Sequence, residues 1–126
     1  MNKNVIRVAA AIPGIPMLIN GIGFIATPLE TAQSLGMELL TGIGLSTQLG
    51  DLTSFFIGTA VLIFLGAFKS DSKLLYAAAL YLGGAAVFRT VAALVNGADM
   101  ATQIIIFELI MTAWLCTCAF LLGKKD

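Results

Sequence analysis

No histidine occurs anywhere in the 126 residues. That removes the commonest metal ligand, the usual haem axial ligand and the usual general base. Only two cysteines are present, Cys116 and Cys118. Two positions apart on a helix they point to different faces, so they are not expected to bridge each other. No Cys-x-x-Cys spacing marks a metal or thiol-redox centre, and both read as small apolar residues of a lipid-embedded helix. Charge is scarce too. Asp, Glu, Lys and Arg make up 11% of the chain, against about 25% in an ordinary soluble domain. The seven basic and seven acidic residues cancel, and no basic run or stripe marks a nucleic-acid surface.

What is abundant is apolar chain: 59% of residues are hydrophobic and the mean hydropathy is +0.98. A soluble protein of this size has too much surface to cover with so few charges, so lipid is the solvent that fits. The length allows one domain, residues 1–126. Four apolar stretches, about residues 5–26, 49–68, 74–95 and 101–122, are separated by polar punctuation. Each is about 20 residues long, enough to span a hydrocarbon core of about 30 Å. The expected fold is therefore all-α, a four-helix transmembrane bundle. The first stretch follows Lys3 and Arg7 as a signal peptide would, but its apolar run is too long for a signal core, and it reads as a retained helix. Pro13 and Pro16 should kink it, which membrane helices tolerate.

Orientation follows from the basic residues. Lys3 and Arg7 precede helix 1, Lys69 and Lys73 separate helices 2 and 3, and Lys124 and Lys125 follow helix 4. Four spans put all six on one side, with Glu30, Glu38 and Asp99 and no Lys or Arg on the other. Both termini are expected in the cytoplasm, in a bacterial inner membrane. The long connection, residues 27–48, opens with Thr27-Pro28-Leu29-Glu30. An N-cap Thr, a Pro at the first helical position and a Glu three residues after the cap predict a short amphipathic helix on the outer surface. It should stop near Gly36, and Gly42 and Gly44 should break the chain before helix 2. This segment is either a plain connector or a lid or docking segment. The other turns, Lys69-Ser70-Asp71-Ser72-Lys73 and Asn96-Gly97-Ala98-Asp99, are tight enough to force antiparallel neighbours. Small residues at helical spacing, such as Ala79 with Gly83 and Ala86 with Thr90, let backbones approach closely.

Ionisable groups inside a membrane are functional hypotheses by default. Arg89 in helix 3 and Glu108 in helix 4 are the clear cases, joined by Asp51 near the start of helix 2 and Asn20 in helix 1. Counted at 1.5 Å per residue, Arg89, Glu108 and Asn20 each lie roughly 10 Å below the outer surface and Asp51 roughly 5 Å. Ala85, Ala86, Ala92 and Ala93 leave room beside Arg89 for a guanidinium, while Ser54, Phe55 and Gly58 surround Asp51. One reading is an Arg89–Glu108 ion pair that fixes helix register, with Asp51 and Asn20 completing its hydrogen bonds. The other is an outer-leaflet pocket in which Arg89 holds an anionic or quinone-like head group and Glu108 or Asp51 exchanges a proton. Two carboxylates against one Arg would leave a negative charge in excess. Trp114 is deep in helix 4, and Phe55, Phe56, Phe64 and Phe88 read as packing.

Several residues together resemble the small four-helix membrane proteins of the DoxX-like superfamily. They are Gly21-Ile22-Gly23, Pro28, Leu49-Gly50-Asp51, Gly66-Ala67, Arg89, Asn96-Gly97 and Glu108, and the resemblance spans most of the chain. It implies a four-helix bundle. Some relatives in the wider superfamily are linked to quinol-oxidising complexes and others to assembly or trafficking of membrane partners. Asp51 stands where that pattern has a small residue, so no role is carried over to it. The expected function is a non-catalytic accessory, scaffold or assembly subunit of a larger membrane complex or homo-oligomer, not an enzyme and without cofactor or metal. The alternatives are a small-molecule or quinone-binding membrane protein, with lipid or quinone contact, or a small proton-coupled transporter. A transporter of the small multidrug type needs an acid central in helix 1, where this chain offers only Asn20.

Overall fold

The computed structural model describes residues 1–124; Lys125, one of the six basic residues that set the expected orientation, lies outside them. Six helices follow one another: α1 (Lys3–Ala11), α2 (Gly14–Ala26), α3 (Pro28–Ser34), α4 (Gly42–Lys69), α5 (Ser72–Val95) and α6 (Thr102–Gly123). There is no strand among the described residues. Four segments are long and apolar enough to cross a membrane: Lys3–Ala26, Gly42–Lys69, Ser72–Val95 and Thr102–Gly123. The chain is an all-helical integral membrane protein.

The first span is two helices. Pro13 has no N–H, so the carbonyl four residues earlier, that of Ala9, loses its helical donor. In hydrocarbon no water can replace it. The indole N–H of Trp114 on α6 does so, donating to the Ala9 oxygen at 2.7 Å, alongside a longer 3.3 Å bond from the Ile12 N–H. The lone tryptophan thus seals the α1–α2 break, a role that its depth in helix 4 did not suggest. Pro16 falls in the first turn of α2, where its missing donor has no intrahelical acceptor in any case.

Helix α4 starts seven residues before the expected position 49. Gly42 adopts φ +59 just inside the helix and Gly44 continues it, so the two glycines do not break the chain. Gln48 holds this early start, accepting from the Leu40 N–H at 3.0 Å and donating to the Glu38 carbonyl at 2.9 Å. At its other end α4 stops where Ser70 turns left-handed at φ 55 and the Asp71 N–H reaches back to the Gly66 carbonyl at 2.9 Å. Asp71 then caps α5 by accepting from the Lys73 N–H at 2.9 Å. Arg7 donates to the last carbonyls of α4, Ala67 at 3.0 Å and Phe68 at 2.5 Å, a cation at the negative end of a helix dipole.

Packing runs around a ring: α2 on α4, α4 on α5, α5 on α6, and α1 on both α4 and α6. The core lies in the half of the bundle that holds the termini, around Ile63, Leu75, Leu82 and Leu115. In the far half it continues only along α2, α3 and α4, through Phe24, Ala32 and Phe56. None of the first fourteen residues of α4, the last nine of α5 or the first six of α6 is buried. The accessible surface, 7649 Å², exceeds the roughly 6,400 Å² expected of a compact soluble monomer of this mass. The bundle is closed at one end, and at the other it is open on the side of α5 and α6.

Candidate functional site

Small residues set the register that places the charged groups. An added Cβ at Gly83 would meet Thr112 at 3.2 Å, and one at Gly123 would meet Ser72 at 3.4 Å. These close approaches hold α5 and α6 antiparallel, so Arg89 and Glu108 come level. The Arg89 Nε lies 2.7 Å from the Glu108 Oε1. Buried Ala86 and half-buried Ala85, Ala92 and Ala93 leave the space the guanidinium needs. Glu108 is buried, with 6% of its side chain exposed, whereas Arg89 keeps 35%. Neither contacting atom has an aligned hydrogen-bond partner. The contact is an ion pair set by charge. The hydroxyls of Thr90 and Thr112 do not serve the pair; they bond to the Ala86 and Glu108 carbonyls of their own helices.

Asn20 and Asp51 do not join this pair. Gly21 packs against Ile57 and Gly14 against Ile63 and Phe64, and Gly66 packs against Leu75. Counted along those contacts, Asn20 is level with residues 57 and 58 of α4, roughly 8 Å closer to the terminal end than Arg89. The expectation of one shared level fails for Asn20, because α2 is a separate helix whose register is fixed by its own glycine contacts with α4. Asp51 is level with Arg89 but exposed. The supposed two-acid cluster is therefore one acid with one base, and a second acid standing apart.

That second acid lies in a groove. Asp51, Ser54, Thr59 and Tyr81 supply its polar lining, and Phe55, Gly58, Val61 and Leu62 the apolar part, around about 640 Å³ of space. Tyr81 comes from α5 and the rest from α4. Thr59 is 2% exposed, yet its hydroxyl makes no hydrogen bond, unlike those of Thr90, Thr112 and Thr117, which bond back to their own helices. A Cβ at Gly58 or at Gly50 would meet nothing within 4 Å. Asp51, Ser54, Phe55 and Gly58 could be grouped from helical spacing. Thr59 and Tyr81 could not, although the two-residue turn at Ser70 and Asp71 puts residue 81 level with residue 60.

The chain matches no family model, no curated protein and no solved structure. The DoxX-like resemblance rests on the residues that carry it.

Proposed function

We propose that this protein is a non-catalytic accessory or assembly subunit of a larger membrane complex, seated in a bacterial inner membrane with both termini cytoplasmic. The observation that carries the reading is the half-sealed ion pair. Glu108 is buried, but a third of the Arg89 side chain remains exposed, in a stretch where none of the last nine residues of α5 is buried. A partly exposed guanidinium in an apolar layer is costly, and a neighbouring membrane protein that offers carbonyl or carboxylate acceptors would satisfy it. The remaining polar devices, Arg7 on the end of α4 and Trp114 on Ala9, hold the fold together. The DoxX-like resemblance, with relatives linked to assembly of membrane partners, points the same way. In this orientation α3 with its Leu29, and Leu40 beyond it, both half-exposed, lie along the outer surface.

Co-purification from native membranes in a mild detergent, followed by mass spectrometry, tests the reading. A stoichiometric larger membrane protein is expected, and it should be lost when Arg89→Met and Glu108→Leu are combined. Recovery of only a monomer or a dimer of this chain would sink the proposal.

A further inference from the structure

The groove beside Asp51 has no part in the accessory role and stands without it. Its lining holds one carboxylate and three hydroxyls but no cation. Asp51 has no ion-pair partner among the described residues, and Arg89 is engaged with Glu108 on the α6 side. A carboxylate facing a lipid-exposed groove is unfavourable unless a positive charge comes to it. The space runs from Asp51 down α4 to Leu62, eleven residues or roughly 16 Å of helix. Its mouth is acidic and its depth apolar. The rings of Phe55 and Tyr81 line it between those ends, and aromatic faces attract cations. The Thr59 side chain lines the same space. An uncharged or anionic amphiphile would leave Asp51 uncompensated.

We propose that this groove binds a lipophilic cation, a positive charge carried on an apolar body, with Asp51 as counter-ion and Phe55 and Tyr81 as ring walls. The charge could belong to a free amphiphile or to the ammonium head group of a lipid, and the two sources are separable. The experiment is equilibrium binding of tetraphenylphosphonium to the full chain in maltoside micelles. Saturable binding of one cation per chain is expected. Asp51→Asn should weaken it by about tenfold or more, as loss of a charge-assisted contact does. Gly58→Leu should weaken it comparably by filling the groove while leaving the charge intact. Asp99→Asn, in the loop at the same end of the bundle, should leave it unchanged. Displacement by added phosphatidylethanolamine, and not by phosphatidylglycerol, would identify a lipid head group as the occupant; no displacement by either would identify a free cation. Absence of saturable binding would overturn the proposal, as would equal binding by the Asp51→Asn or Gly58→Leu protein, or an equal loss in Asp99→Asn.

Discussion

Arg89 and Glu108 show what a charge does when it must live in lipid. Each alone would be stranded, and together they bind α5 to α6 at 2.7 Å. Removing one partner leaves the other uncompensated, so Arg89→Ala should destabilise the protein by about 3 kcal/mol, the low end for a broken buried pair because the guanidinium is partly exposed. Removing both leaves nothing stranded. The combined Arg89→Met and Glu108→Leu protein should therefore melt higher than either single variant, measured as thermal unfolding in detergent. A double variant less stable than both singles would show that the charges stabilise beyond their mutual neutralisation. Trp114 is a second residue-scale device. Trp114→Phe leaves the Ala9 carbonyl with only the long bond from Ile12, at a cost of about 1–2 kcal/mol. In a Pro13→Ala background a backbone N–H returns to position 13, and the same change should cost much less. Unfolding of the four proteins in lipid nanodiscs checks this, and equal losses in both backgrounds would mean that Trp114 acts by packing alone.

Glycine has opposite meanings in different helices. At Gly21 of α2 an added Cβ would sit 2.5 Å from the Ile57 Cδ1 and 2.7 Å from its Cγ1, so any side chain there would force Ile57 of α4 to move. At Gly58 of α4 the same atom would meet nothing. Gly21→Ala should cost about 1–3 kcal/mol through overpacking, while Gly58→Ala should be neutral or slightly stabilising through improved helix propensity. Paired melting curves decide it, and an equal loss at both positions would contradict the open groove. The two glycines look alike in sequence, each among apolar residues in a spanning helix. Only the neighbouring helix distinguishes them. The start of α4 has the same character. Gly42 and Gly44 read locally as breakers, and the bonds from Gln48 back to Leu40 and Glu38 let the helix begin there instead.

The molecule as a whole is a bundle closed at the end where its termini lie and open on the α5 and α6 side at the other. The proposed orientation makes the open end extracytoplasmic. In a chain with Cys116 and Cys118 replaced by serine, a cysteine at Asp99 should react with a membrane-impermeant maleimide from outside intact cells. A cysteine at Lys73 should react only after the membrane is broken. The opposite pattern would invert the protein and place both the open half and the Asp51 groove in the cytoplasmic leaflet.

Length and hydropathy were enough to determine four spans, because each needs about 20 apolar residues whatever packs against it. The tight turn at Lys69 and Lys73 determined that α4 and α5 run antiparallel, and the positions of Arg89 and Glu108, equally far from the shared turn, made their pairing legible. Tertiary structure decided the rest. Asn20 left the polar level because α2 takes its register from Gly14 and Gly21 against α4. Asp51 left the ion pair because it lies on an exposed face of α4. Trp114 gained a partner 105 residues distant, and Thr59 and Tyr81 came to share a groove. Periodicity along one helix reports which residues share a face. It does not report how far apart two helices stand, and that distance is fixed by side chains on the neighbour.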